Sequence, residues 1–379
     1  MVFDVTTIRG KPFRLAIIGS RGIPSNYGGF ETFAEQLGAR LAESGWSVTV
    51  YGRRHHVPAG MKEHAGCRLV SVPTVRSKHL DTIVATFFQV LHALGGRYDA
   101  ALVVNAANAP LLVPLRVLGV RTILNVDGIE RMRAKWGRLG RLWYRIGEWC
   151  AAHLPDVVVA DAEVIAGYYR ERFGSDPAVI PYGGDLPWPH SQESLERLGL
   201  TKNGYLLYVS RFEPENNPHR VVEEYGLWRG SLSQAPPPLV MIGDAPYQKD
   251  WINSWKRNAP GGVIFPGAIY GEGYRQLLAN CYAYVQATEV GGTHPALVEA
   301  MGYGRRIFYN ASPENREVAG GCGIPFDVQE RGALAAALAE GLDEAPHWPV
   351  YRQAAGDRVR ERYSWSAVAE AYRRILQGG

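Results

Sequence analysis

Short runs of β-branched and aliphatic residues alternate with stretches of helical period along this chain, and that alternation constrains its fold more than anything else. Phe13–Ile18, Val48–Tyr51, Ala101–Val104, Thr122–Val126 and Val157–Ala160 read as buried strands. Between the first two, Phe30, Phe33, Leu37 and Leu41 recur at helical spacing, and Gly45 ends the helix. A second series follows at Tyr205–Val209, Leu239–Ile242, Val263–Phe265, Ala283–Gln286 and Arg306–Tyr309. Helical segments between strands put helices on both faces of a parallel sheet. The two series are separated by Pro181-Tyr-Gly-Gly-Asp-Leu-Pro-Trp-Pro189, with three prolines and two glycines in nine residues. The expected architecture is α/β: two doubly wound, Rossmann-like domains, 1–185 and 186–379, facing across a cleft. In such sheets ligands bind beyond the carboxyl ends of the strands.

A chain of 379 residues has the length for two such cores. Cys67, Cys150, Cys281 and Cys322 lie far apart, with no C-x-x-C pair. They read as buried thiols of a cytoplasmic protein, not as zinc ligands or disulfides. Residues 100–120 are the most apolar long stretch, but Asn105, Asn108, Pro110, Pro114 and Arg116 interrupt them, so no membrane span is expected. The net charge of +4 is too mild to imply nucleic acid.

Three strand-end segments carry candidate chemistry. Gly19-Ser-Arg-Gly-Ile-Pro-Ser-Asn-Tyr-Gly-Gly-Phe-Glu31 leaves a strand and opens a helix, where backbone N–H groups and the helix N-terminus favour an anion. It is not G-x-G-x-x-G, and the next strand ends at Tyr51-Gly-Arg-Arg54 without a ribose-binding acid, which disfavours NAD. Arg53 and Arg54 keep an NADP enzyme as a rival, and a glycine turn needed only for packing is the plainer reading. Val209-Ser-Arg-Phe-Glu-Pro-Glu-Asn-Asn217 places Arg211 where it can clamp a diphosphate; a surface salt bridge is its plainer role. Thr288-Glu-Val-Gly-Gly-Thr-His-Pro-Ala-Leu-Val-Glu-Ala-Met301 puts Gly292, Thr293 and His294 at a helix start and Glu299 about one turn in.

These segments, with Asn125-Val-Asp-Gly-Ile-Glu130, Arg133-Ala-Lys-Trp136 and Phe265-Pro-Gly-Ala-Ile-Tyr270, resemble glycosyltransferase family 4 over nearly the whole chain. The resemblance is strongest to its bacterial rhamnosyltransferase branch of capsule and cell-wall polysaccharide assembly. It implies the GT-B fold, with an acceptor-binding first domain, a donor-binding second domain, and a last helix, about 364–377, that packs back on the first. It also implies a retaining, metal-independent enzyme without a cofactor. That enzyme moves a sugar from a nucleotide-sugar donor, dTDP-rhamnose first and UDP- or GDP-linked sugars next, to a glycan or lipid-linked acceptor.

The same resemblance implies residue roles. Gly28 and Gly29 border the donor diphosphate and the acceptor. Arg211 neutralises the diphosphate. Ile269 meets the nucleobase. Gly292, Thr293, His294, Pro295 and Ala296 face the sugar and phosphates. Glu299 holds the nucleoside sugar hydroxyls. Asp127 is the carboxylate on the acceptor side, or else a strand-end cap. Asn216 stands where the wider family has a Lys, and Gly291 where it has the first of two Glu residues. Glu289 lies ten before Glu299 and is the alternative carboxylate. A non-catalytic GT-B-like subunit is the rival that the missing Glu leaves open.

Residues 130–150 combine Trp136, Leu139, Trp143, Ile146 and Cys150 on one helical face with Arg131, Lys135, Arg138 and Arg145 largely on another. Two readings stand: a core-facing helix with a solvated basic back, or a helix lying on the anionic inner face of a membrane.

Overall fold

The computed structural model describes residues 7–8, 11–25, 28–75, 77, 80–133, 136–342 and 347–378. Asn26 and Tyr27 of the glycine segment and Ala134 and Lys135 of the basic segment lie outside the described residues. The chain divides into two compact units, Met1–Tyr182 with Trp365–Gly379, and Gly183–Ser364.

In the first unit, seven strands run parallel: β1 (Arg14–Ile18), β2 (Ser47–Arg53), β3 (Cys67–Val72), β4 (Ala100–Val104), β5 (Arg121–Asn125), β6 (Val157–Ala160) and β7 (Ala178–Val179). Their order is β7-β6-β5-β4-β1-β2-β3, and Glu63–His64 adds an antiparallel edge. Beyond Arg14, β1 and β4 are apolar and buried, as strands covered on both faces must be. Helix α1 (Gly29–Glu43) buries Phe33, Ala34, Leu37, Gly38 and Leu41, a stripe of period three to four. A Cβ at Gly38 would lie 2.8 Å from the Cys67 sulfur, so glycine permits the close seat of α1. Helices α2 (Asp81–Leu94) and α3 (Arg138–His153) follow β3 and β5.

The terminal segment after Ser364 returns to this unit as a helix, Trp365–Gln377, burying Trp365, Val368, Tyr372 and Leu376. Phe33 packs against Tyr182, Trp365 and Tyr372, and Arg121 Nε donates to the Ile375 carbonyl at 2.8 Å.

The second unit holds six parallel strands: β8 (Leu206–Val209), β9 (Leu239–Ile242), β10 (Val263–Gly267), β11 (Ala283–Gln286), β12 (Arg306–Asn310) and β13 (Ile324–Phe326). Their order is β10-β9-β8-β11-β12-β13. Helices α4 (Gly271–Asn280) and α5 (Pro295–Gly302) follow β10 and β11. Gly184 and Gly302 are both needed here: a Cβ on Gly184 would meet Val298 within 2.3 Å, and one on Gly302 would meet the Gly184 carbonyl.

Each sheet reverses its direction of growth once. In the first unit this happens between β1 and β4, in the second between β8 and β11. At such a switch point adjacent strand-end loops diverge and leave a crevice. All four cysteines are buried and unpaired.

Candidate functional site

In the second unit, the two motif loops flank the switch point. The β8 loop carries Arg211, whose side chain is about 34% exposed, 3.6 Å from the buried Glu213 carboxylate. Tyr247 donates to the same carboxylate. Asn216 is buried, and its amide donates to the Arg211 carbonyl at 2.6 Å. It therefore holds the loop that presents Arg211 and supplies no charge of its own.

Asn217, at φ +58, ties this loop to the next one, donating from Nδ2 to the Ala287 carbonyl and to Glu289 Oε2, both at 2.9 Å. Glu289 also accepts from Gln329 at 2.5 Å, and its backbone N–H donates to the Glu215 carbonyl at 3.0 Å. The Glu289 side chain is thus pinned at the edge of a cavity of about 460 Å³ that Asn310, Ser312, Arg316 and Asp327 also line.

Beyond Glu289 the chain turns through Gly291 and Gly292 into α5. A Cβ on Gly291 would come within 2.4 Å of the His294 imidazole, so a Glu at this position would displace that ring. Gly292 and Thr293 are buried; His294, Pro295 and Ala296 are half-buried at the helix start. Glu299 is 2% exposed and accepts a hydrogen bond from the Tyr274 hydroxyl of α4. Burial pushes its pKa up to about 7, against the opposing pull of the Tyr274 hydrogen bond and Arg275. Ile269 lies in the turn between β10 and α4, half-buried and within reach of Gly273. Tyr274 escaped the sequence reading; its only signal is its place one turn after the Ala268-Ile269-Tyr270 segment.

In the first unit, the glycine segment behaves differently from expectation. Gly19 and Gly22 take φ of +98 and +106, and a Cβ on Gly19 would lie 2.7 Å from the Val104 carbonyl at the end of β4. Gly28 is extended at φ −172 and precedes α1, which Gly29 opens. Two loop N–H groups that an anion would use are already taken: Arg21 N donates to Glu31 at 2.9 Å and Ser25 N to Glu35 at 3.1 Å. With Glu31 buried in the first turn of α1, this loop is held by carboxylates of its own helix.

Arg53, which the NADP reading needs at the surface, is 3% exposed and pairs with Asp81 and Thr82. His55, His56 and Asp81 bring ligand atoms within 4.8 Å of one another. Burial, Arg21, His55 and Arg53 hold His56 down to about 4, and the two guanidiniums that do so would also repel a metal cation.

Further along the first sheet, the carboxyl ends of β4, β5 and β6 carry Asn105, Asp127 and Asp161. Asn105 and Asp127 adopt left-handed backbone at φ +76 and +54. Asp127 N donates to Asn125 Oδ1 at 3.0 Å, and Asn125 Nδ2 donates to the Tyr372 hydroxyl at 2.8 Å. Tyr182 donates to Asp127 at 3.3 Å. Glu130 and Arg133 pair at 2.8 Å. Desolvation first, then Glu130, raises the Asp127 pKa. Asp161, fully buried beside it, was missed; a polar residue directly after the run Val157–Ala160 is the signal that could have found it.

The basic segment differs from the expected single helix. A 3-10 turn at Glu130–Met132 precedes α3, which begins at Arg138. Its covered face is Tyr144, Gly147, Glu148, Cys150 and Ala151, while Leu139, Leu142, Ile146 and Trp149 are exposed. The expected stripe is thus split, with Cys150 inside and Leu139 and Ile146 outside. Arg131 is not on a solvated basic back: it bonds the buried Glu148 at 3.0 Å and the Tyr168 hydroxyl. Among the described residues no helix is long and apolar enough to cross a membrane.

Comparison with known proteins fits this geometry. Residues 14–185 match a family described as a domain of unknown function (DUF1972), and residues 191–361 match the family glycosyl transferases group 1. A curated relative, O-antigen chain mannosyltransferase B of Escherichia coli, is 23% identical over 173 residues. That segment spans 45% of this chain and 45% of the relative. The fold is that of sucrose-phosphate synthase from Thermosynechococcus elongatus (TM-score 0.77, 19% identity, 97% of this chain and 100% of that one). It is equally that of HepE from Anabaena in complex with UDP-glucose (TM-score 0.76, 14% identity, 97% and 100%). WaaG, a glycosyltransferase involved in lipopolysaccharide biosynthesis, is similar over the same shares (TM-score 0.73, 17% identity). The chain has the two-domain GT-B fold, and its residues 191–361 match the model of the glycosyl transferases group 1.

Proposed function

We propose that this protein transfers a sugar from a nucleotide diphosphate to a growing bacterial glycan or a lipid-linked acceptor, with retention at the sugar carbon. The observation that carries the reading is the convergence of Arg211, the Gly292–Ala296 turn and buried Glu299 on the second sheet's switch point. The diphosphate gains negative charge as the glycosidic bond breaks. Arg211 and the N-terminus of α5 stabilise that charge where it develops, which is electrostatic catalysis without a metal. Ile269 flanks the base, and Glu299 accepts from the nucleoside sugar hydroxyls. Asp127 belongs to the acceptor side, in the first unit.

The preferred donor is dTDP-rhamnose, supported by the motif set that resembles the rhamnosyltransferase branch. A UDP- or GDP-linked donor is the second reading, favoured by the UDP-glucose complex of HepE and by the mannosyltransferase relative. Calorimetric titration with dTDP, UDP and GDP, followed by transfer assays with the matching sugars, tests both. Absence of binding by all three nucleotides overturns the enzyme reading.

We also propose that α3 seats the protein peripherally on anionic lipid. The exposed Leu139, Leu142, Ile146 and Trp149 recur every three or four residues, and exposed Arg138, Arg141 and Arg145 run alongside. An apolar stripe flanked by arginines matches the depth and charge of an anionic headgroup layer.

A further inference from the structure

We infer that the cavity beside Glu289 is a second binding site, separate from the nucleotide site, and that it takes an uncharged pyranose unit of a glycan. Binding there needs no nucleotide; only the word glycan comes from the transferase reading above. The cavity, of about 460 Å³, lies at the carboxyl ends of β11, β12 and β13 in the second unit. That volume falls within the roughly 300–1,000 Å³ of small-ligand sites. Among the described residues that line it, none is Arg211, Glu299 or part of the Gly292–Ala296 turn. Glu289 is a fixed wall of the cavity. Each of its carboxylate oxygens already accepts a hydrogen bond, Oε2 from Asn217 at 2.9 Å and Oε1 from Gln329 at 2.5 Å.

The cavity holds opposite charges that do not meet. Arg316 and Asp327 both line it, yet among the described residues neither forms an ion pair. Each is anchored by the backbone instead. Arg316 Nε donates to the Ala311 carbonyl at 3.0 Å, which orients the guanidinium and leaves its two terminal nitrogens without an acceptor in the described protein. Asp327 Oδ1 accepts from the Gln329 N–H at 2.8 Å, and Oδ2 has no donor among the described residues. Ser312 Oγ accepts from the Asn315 N–H at 3.3 Å and keeps its own proton to donate.

The occupant follows from this set. A guanidinium only donates and a carboxylate only accepts, whereas a hydroxyl does both. Neighbouring hydroxyls of one sugar ring can therefore accept from Arg316 and donate to Asp327 Oδ2, filling the gap that keeps the two charges apart. Pro325, exposed on the same wall, offers apolar surface to the C–H face of the ring. The charge balance disfavours ions. Two carboxylates and one guanidinium line the cavity, so a phosphate or uronate meets net repulsion, and a cation meets Arg316.

The test uses the full-length protein and two surface variants, Arg316→Gln and Asp327→Asn. Asparagine at 327 keeps an oxygen for the Gln329 N–H, so the loop retains its anchor. The probes are the methyl α-glycosides of rhamnose, mannose and glucose, with glucuronate as the charged control. Saturation-transfer NMR reads their binding, first alone and then with excess dTDP, UDP or GDP. At least one glycoside should bind, and no nucleotide should displace it. Each variant should weaken that glycoside about tenfold, the usual effect of losing a hydrogen bond to a charged group. Both should keep the wild-type melting temperature and nucleotide affinity. Absence of transfer from all three glycosides, displacement by a nucleotide, unchanged glycoside affinity in both variants, or tighter binding of glucuronate overturns the second site. Glycoside binding without binding of any nucleotide leaves the second site standing and removes the donor reading; nucleotide binding without any glycoside does the reverse.

Discussion

At the scale of single residues, charge and burial decide what each group can do. Arg211, half-buried beside Glu213, is the cation of its loop, and Asn216, where a Lys would add a second charge, is spent on the Arg211 carbonyl. Arg211→Ala should therefore weaken nucleoside diphosphate binding by about 1.5–3 kcal/mol while leaving the melting temperature near wild type. Unchanged affinity in calorimetry excludes the assignment. Glu299 makes a prediction of opposite sign for folding and for binding. Its folded pKa of about 7 lies above the ordinary carboxyl value of 4.5, so the folded protein holds the proton more tightly than the unfolded chain. The resulting stability is fully present below about pH 4.5 and is lost as pH rises through about 7. The loss is on the order of 3 kcal/mol. The ionised form is the better acceptor for a ribose hydroxyl, so nucleotide affinity should rise over the same interval. Glu299→Gln should flatten both profiles, with a milder loss of affinity for a thymidine donor, whose sugar lacks the 2′-hydroxyl. Denaturant melts and titrations at pH 5, 6, 7 and 8 measure both slopes. Should Glu289→Ala instead abolish turnover while Glu299→Ala stays nearly normal, the carboxylate at the cavity edge holds the role.

At the scale of elements, what could be read from the sequence followed how completely an element is buried. The wholly apolar strands Ala101–Val104 and Leu239–Ile242 are plain in the sequence because both faces are covered. Cys67–Val72 was missed because Arg68 and Ser71 face solvent at an outer position of the sheet, and Ile324–Phe326 because it is three residues long with a central proline. The three motif loops were legible as strand-end segments because each directly follows a short apolar strand. Their internal clamps were not: nothing in the spacing says that Glu31 and Glu35 occupy the loop N–H groups or that Asp161 sits beside Asp127. Helix α3 shows the limit most clearly. Its apolar residues fit two faces equally well, and only the partner, the turn at Ala106–Leu112 that covers Gly147, decides which is inside. A Cβ on Gly147 would lie 2.6 Å from the Ala106 carbonyl, so that face is fixed and the stripe of Leu139, Leu142, Ile146 and Trp149 is left outward. Replacing Arg138, Arg141 and Arg145 with Glu should abolish sedimentation with phosphatidylglycerol vesicles at low salt and leave nucleotide affinity unchanged. A wild-type protein that ignores such vesicles at low salt refutes the lipid contact.

At the scale of the molecule, the chain crosses out of its first unit at Tyr182 and returns to it at Trp365. The returning helix is part of the first core, since Tyr372 and Leu376 are fully buried and Tyr372 caps the asparagine that orients Asp127. Tyr372→Ala should therefore cost about 3–5 kcal/mol, the usual range for emptying a buried aromatic site. The effect should also be lopsided. A chain ending at Ser364 leaves Phe33 and Asn125 without the aromatic and hydroxyl groups that cover them, whereas the strands of the second unit lose no internal partner. Amide hydrogen exchange on the truncated chain should show faster exchange in β1, β4, β5 and β6 and native protection in β8, β9, β11 and β12. Nucleotide binding, which depends on Arg211 and Glu299, should survive the truncation within about a factor of three, a difference of less than about 1 kcal/mol. Equal loss of protection in both sheets would mean that the terminal helix supports the whole molecule and not the first unit alone.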